Sequence, residues 1–312
     1  MPSSLKFALK LVLGLALIAA GWTFIATQWG WKALPDAPAP TVEILDARFE
    51  AAGLEAANVL ETARQRMGVP AMTAAVAVDG ELVWAAGSGW SNVETQTPAT
   101  PDTLFRIGST SKAMTSTMIA RLVDQGALAL DDTVSDHLPE APNPDWNLIR
   151  LDQLMSHTAG FPGYENNSDW PDAYETLRMK RQFDHVEDSL MLVDDARLLS
   201  APGESFYYSS FDIVLAAVLA ERAAGEDYAS LVEREVRAPL DLQTPVLANS
   251  GPEPDTLARF YESRNQRQVR PRGAVNVSQR WPSGGLYSRS IDLVRVASAW
   301  LEPPAVAKTA AV

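Results

Sequence analysis

Four short motifs occur in a fixed order: Ser109-Thr-Ser-Lys112, Leu154-Met-Ser-His157-Thr-Ala-Gly160, Pro202-Gly-Glu-Ser-Phe-Tyr-Tyr208-Ser-Ser210 and Gly284-Gly285-Leu-Tyr-Ser288. The first places a lysine one helical turn after a serine, so both lie on one helix face. A cation there stabilises a serine alkoxide or depresses the pKa of a neighbour. The third supplies Tyr208. A phenol with a pKa near ~10 is a poor base at neutral pH unless a cation lowers that value, and Lys112 is the cation available. Together they describe nucleophilic acyl transfer by serine.

Each signal also has a plainer reading. Ser3-Ser-Leu-Lys6 matches the Ser-x-x-Lys pattern and has no catalytic context. Ser109 differs because a short apolar segment, Thr103 to Ile107, leads into a helix start, where backbone N–H groups favour negative charge. Phe206 and Tyr207 are expected to be core aromatics, and Ser209 and Ser210 a helix cap. His157 reads as structural, at a helix end packed under the site. His137 and His185 stand alone. There is no His-Glu-x-x-His, so no metal or other cofactor is expected. There is no Gly-x-Ser-x-Gly elbow, which argues against an α/β-hydrolase.

The elements that must position these residues follow from periodicity. A helix is expected over Val42–Met67, ended by Gly68 and Pro70. Segments 72–78 and 82–86 flank Asp79-Gly80 as a hairpin. A catalytic helix runs from Ser109 to about Gln125. Further helices are expected over Phe211–Ala224, Tyr228–Arg237 and Ile291–Leu301. The order is hairpin, catalytic helix, helical insert and return segment. It implies an α+β fold, an antiparallel sheet covered by helices with an inserted helical region.

The 312 residues are 46% hydrophobic and 21% charged, as expected of a folded chain with a substantial core. A net charge of -13, without a basic run, argues against a nucleic-acid partner. The absence of cysteine removes disulfides and thiol catalysis. At the N-terminus, Lys6 and Lys10 precede an uncharged stretch from Leu11 to Trp31. Residues 1–31 therefore read as a single-pass membrane anchor, with Lys6 and Lys10 in the cytoplasm and the catalytic part outside it, periplasmic in a Gram-negative cell. The alternative is a cleaved leader with Ala19-Ala20-Gly21 at the cleavage site, and secretion. Residues 32–42 read as an exposed proline-rich spacer, and 43–312 as the catalytic domain.

The ordered motifs resemble the serine β-lactamase and penicillin-binding-protein superfamily, in particular its class C-like branch, which includes mitochondrial β-lactamase-like serine hydrolases. Further stretches carry the likeness: Met67-Gly-Val-Pro, Val78-Asp-Gly, Leu130-Asp-Asp, Ala258-Arg-Phe-Tyr and Trp281-Pro-Ser-Gly-Gly-Leu-Tyr-Ser. The resemblance implies a β-lactamase/transpeptidase-like fold with Ser109 as nucleophile, Lys112 as the motif lysine and Tyr208 as proton shuttle. It puts Ser210, Gly284 and Gly285 at the substrate. Ser210 stands where the family's Tyr-x-Asn motif has asparagine. The family's later Lys- or His-Thr-Gly strand has one faint match, Lys308-Thr-Ala310, which reads as chance. The C-terminal strands are therefore expected to be missing, leaving one edge of the N-terminal hairpin without a neighbour. The functional expectation is a membrane-anchored serine hydrolase that acts through an acyl-enzyme on amide, β-lactam or ester bonds of small molecules or peptides. The alternative is a non-catalytic binding module for cell-wall peptide or a protein partner.

Overall fold

The computed structural model describes residues 3–163, 181–273 and 275–301, without the side chains of residues 3–9 and of Ala26. The faint match at Lys308-Thr-Ala310 lies outside the described residues. The architecture is α+β. A sheet of order β2-β4-β3 is built from Thr41–Ile44 (β2), Ala71–Val78 (β3) and Glu81–Asn92 (β4), with Thr97–Pro98 (β5) added to β4. Every pairing in it is antiparallel. Asp79 and Gly80 form the β3–β4 turn with φ of 50° and 82°. Two left-handed residues suit a tight hairpin, whose twist they match.

Helix α2 (Glu50–Met67) covers this sheet. It comes so close that a Cβ on Gly53 would sit 2.7 Å from Trp84 Cδ1. The helix begins later than its sequence period suggests, and Thr41–Ile44 is a strand instead. Val42 and Ile44 alternate inward along β2 and pack with Trp84, a period of two that a short window does not separate from a helical one.

The larger core lies among the helices. It joins α3 (Ser111–Asp124), α4 (Val134–His137), α5 (Leu151–Met155), α6 (Ser210–Ala224) and α7 (Tyr228–Val232) around Trp146, Phe161 and Phe211. Helix α6 buries every residue from Phe211 to Ala220, apolar all round except at Asp212, a surface that only a core position tolerates. It ends on Gly225 at φ 68°, the left-handed cap expected of glycine. A second sheet joins Phe105–Arg106 (β6) to Leu286–Ser288 (β10) and Val246–Leu247 (β7). The short helix α8 (Trp281–Gly284) leads into β10, and α9 (Ser290–Leu301) packs on β3.

Helix α1 spans Ser3–Gln28. Among the described residues no helix is long and apolar enough to cross a membrane. The segment after it, which reads as an exposed spacer, is tied to the body of the protein. Lys32 and Ala33 (β1) pair with Val269 and Gln268 of a hairpin formed by Tyr261–Arg264 (β8) and Gln268–Pro271 (β9). Leu34 N donates to Arg267 O at 2.8 Å, and Trp90 Nε1 donates to Asp36 O at 3.1 Å. The Trp31 ring lies 4.9 Å from each of the Arg264 and Arg270 guanidinium groups.

Candidate active site

Strand β6 delivers the chain to Gly108, whose φ of 52° turns it into a 3-10 segment, Gly108–Thr110, continuous with α3. Ser109 is exposed on this turn. The next helical turn carries Lys112, while Ser111, Met114, Thr115 and Met118 anchor the opposite face in the core. Two of these buried groups fasten α3 to the segment around α8. Thr115 Oγ1 donates to Pro282 O at 2.7 Å, and Leu286 N donates to Ser111 Oγ at 3.3 Å. That attachment holds the Ser283 carbonyl beside Lys112.

The Lys112 ammonium has three hydrogens and meets three acceptors. Ser283 O lies at 2.7 Å, Ser109 Oγ at 3.3 Å and Ser210 Oγ at 3.3 Å. An ammonium donating to all three has no lone pair to offer and acts as a fixed charge. Its Nζ is also 4.9 Å from the Tyr208 ring centroid. Tyr208 OH donates to Ser109 Oγ at 2.8 Å. A phenolate would accept the serine proton across the same distance. Partial burial works to raise the Tyr208 pKa, but hydrogen bonding with Lys112 and Ser109 and the Lys112 charge outweigh it, and the value falls below that of an ordinary tyrosine. The arrangement can hold a serine nucleophile, a proton acceptor on it and a cation that makes the acceptor usable.

Tyr208 reaches this place because its approach is laced to the Leu154–Gly160 motif. Tyr207 N donates to His157 O at 2.8 Å, Gly203 N to Thr158 O at 2.8 Å and Leu199 N to Gly160 O at 2.8 Å. The two segments approach so closely at Gly160, with φ 90°, that a Cβ there would lie 2.5 Å from Ser200 O. Ser209 caps α6 by accepting from Phe211 N at 3.2 Å, and it donates to Pro162 O at 2.9 Å.

Of the residues singled out in the sequence, Ser109, Lys112, Tyr208 and Ser210 come together. Gly284 lies near the Gly108 backbone, where a Cβ would be 3.9 Å from Gly108 C. Gly285 is packed away, since a Cβ would meet Val277 O at 2.7 Å. Phe206 and Tyr207 are not core aromatics. Phe206 is 66% exposed and Tyr207 37%, because this stretch crosses the protein surface before α6 enters the core. His157 lies closer to the chemistry than its sequence context suggests: its ring centroid is 4.8 Å from that of Tyr208, and its Nδ1 is 2.7 Å from Asp212 Oδ2. Two participants escape the sequence reading. A backbone carbonyl, Ser283 O, has no side-chain signature. Asp212 has one, as a carboxylate inside the otherwise apolar run Phe211–Ala220. Among the described residues, no three His, Asp or Glu side chains gather into a metal-binding group.

The beta-lactamase family profile matches residues 57–311. The chain belongs to the beta-lactamase family. Among curated relatives of this family member are the mitochondrial serine beta-lactamase-like protein LACTB of Homo sapiens, 26% identical over 86% of the chain and 59% of the relative, and esterase EstB of Burkholderia gladioli, 32% identical over 76% of the chain and 61% of the relative. The chain thus spans about three fifths of the length of these relatives. Solved structures share the fold. The hydrolase EstCE1 superposes with a TM-score of 0.69 at 22% identity, covering 81% of this chain and 74% of that one. D-amino acid amidase from Ochrobactrum anthropi superposes with a TM-score of 0.68 at 20% identity, covering 81% and 72%.

Proposed function

We propose that this beta-lactamase-family protein is a serine hydrolase that works through an acyl-enzyme on ester, amide or β-lactam bonds. The observation that carries the reading is the Tyr208 hydroxyl at 2.8 Å from Ser109 Oγ with Lys112 fixed beside both. Tyr208, as phenolate, takes the Ser109 proton while Oγ attacks the carbonyl carbon. The proton then passes to the leaving alkoxide or amine, and the acyl group stays on Ser109. Water enters by the reverse proton path, adds to the ester carbonyl and releases the acid. An esterase among the relatives and an amidase among the structural neighbours support carbonyl substrates of this kind.

Intact-mass spectrometry of the full chain, after incubation with a p-nitrophenyl ester and separately with a penicillin, tests the proposal. An acyl-sized mass gain that Ser109→Ala abolishes is the expected result. Folded protein that turns over none of these compounds and gains no mass overturns it and points to a binding module. Attachment of residues 1–31 to a cell membrane, with the catalytic domain outside the cytoplasm, is a proposal from the sequence alone. It rests on Lys6 and Lys10 ahead of the uncharged stretch Leu11–Trp31. Retention of the full chain in membranes washed with alkaline carbonate is expected, and its release into the supernatant contradicts the attachment.

A further inference from the structure

His157 and Asp212 have no part in the proton path from Ser109 to Tyr208, yet both are built against it. His157 sits just past α5 with φ 57°, a left-handed conformation that a non-glycine residue seldom adopts. Its carbonyl holds Tyr207 N at 2.8 Å, so its backbone is tied to the residue preceding Tyr208. Its ring is wedged between two aromatic neighbours, with the Phe206 centroid at 6.0 Å and 89° and the Tyr208 centroid at 4.8 Å and 51°. The Nδ1···Asp212 Oδ2 distance is 2.7 Å. When Asp212 is ionised it only accepts, and Nδ1 then carries the hydrogen. Ser209 N also approaches Nδ1, at a longer 3.5 Å.

Asp212 is fully buried, in the first turn of α6, two residues beyond Ser210. Its second oxygen, Oδ1, has no hydrogen-bond partner among the described residues. Burial pushes its pKa up to about 6, opposed by His157, the Ser209 N–H and the Lys112 charge. A half-satisfied carboxylate in a helix that is otherwise apolar is costly to keep, and an apolar side chain would pack there at lower cost. Packing alone therefore does not account for it.

We propose that His157 and Asp212 form a positioning pair for the acyl-transfer step: Asp212 fixes the imidazole through Nδ1–H, and the imidazole holds the Tyr208 phenol on Ser109. The inference rests on the acyl-enzyme reading and extends it to residues that touch neither substrate nor the reacting atoms. Tyr208 is 47% exposed and hinges from an exposed stretch, so its hydroxyl stays at 2.8 Å from Ser109 only if something braces the ring. On one side the ring faces His157, whose own orientation depends on a single buried acceptor.

The test uses the full chain and a p-nitrophenyl ester, with kcat, KM and the rate of acyl-adduct formation measured for wild type, Asp212→Ala and Asp212→Asn. A displacement of about 1 Å at a reacting group costs on the order of 10²-fold in rate. Asp212→Ala is expected to lose about that factor in acylation rate and kcat with KM within twofold of wild type. Asp212→Asn keeps an oxygen that accepts from Nδ1–H, and is expected to recover to within about tenfold of wild type. A structural role alone would lower the melting temperature while leaving the acylation rate per folded molecule unchanged, and that result overturns the pair. If Asp212→Ala fails to fold, Asp212→Leu, which also removes the acceptor, decides: a kcat well below that of Asp212→Asn at unchanged KM supports the pair, and wild-type kcat overturns it. Failure of wild type to form an adduct overturns the acyl-enzyme reading and the pair together. An adduct on Ser109 with rates unaltered in folded Asp212 variants overturns the pair alone.

Discussion

Replacing Tyr208 with phenylalanine deletes one oxygen, the group nearest to Ser109 Oγ. The effect on rate follows from what remains. Lys112, the other group at Ser109 Oγ, lies within hydrogen-bond distance of Ser109, Ser210 and the Ser283 carbonyl, and as an ammonium donating to all three it has no lone pair for a proton. Positioned general-base catalysis contributes about 10²–10⁴-fold. At about 1.4 kcal/mol per decade, the variant raises the acylation barrier by roughly 3–6 kcal/mol. Stability is expected to hold, because the ring remains and Tyr208 is 47% exposed. A surface change of this kind stays within about 0.5 kcal/mol, a shift in melting temperature of about 1–2 °C. Stopped-flow release of p-nitrophenol gives the acylation burst, and a thermal melt of the same samples reports folding. Ser109→Ala sets the background. A Tyr208→Phe burst within threefold of wild type, well above that background, would refute the assignment and make Lys112 or a water the proton acceptor.

Two further outcomes follow from the same structure. Glu221 accepts from Tyr228 N at 2.7 Å, and burial raises its pKa from 4.5 to about 7, with Asp227 and Glu187 adding to the effect. Between those values the unfolded chain has already released the proton that the folded chain retains. Stability therefore falls as pH rises from about 4.5 to 7 and stays lowered above that window, by on the order of 2 kcal/mol after a discount for partial exposure. Glu221→Gln keeps the acceptor and removes the ionisation. Its melting temperature is expected to match wild type near pH 4 and exceed it at pH 8, and an equal difference at both pH values would contradict the account. Gly160→Ala forces a Cβ against Ser200 O at φ 90°, and is expected to cost about 2–3 kcal/mol in urea unfolding. A midpoint unchanged from wild type would show that the two segments separate without penalty.

Ser109 and Lys112 were legible because a three-residue spacing on a helix is a geometric statement, and Tyr208 because it ends a loop just ahead of an apolar helix. The helices α3, α6 and α9 were legible for the same reason, as each repeats one local period. What escaped was non-local. Thr41–Ile44 becomes a strand because β4 offers it an edge, and Lys32–Ala33 becomes one because β9 does. Neither partner is adjacent in sequence. Phe206 was misread because aromatic character says how much area a side chain could bury, not whether the chain runs through the core or over it. Asp212 was there to be read, since a lone carboxylate in an apolar helix must have a partner, but finding His157 as that partner required the fold.

The pinning of residues 32–36 changes what the N-terminal segment can do. A free chain of nine residues behaving as a flexible coil would let its two ends wander over roughly 15–18 Å. Such a tether gives an enzyme reach, and a site on it samples a volume of solution around its attachment point. Here the backbone pairing with β9, the Asp36 contact to Trp90 and the two arginines on Trp31 remove most of that play. Reach is exchanged for a fixed bearing. Ser109 keeps one place relative to Lys32–Asp36, and delivery to the pocket falls to the substrate.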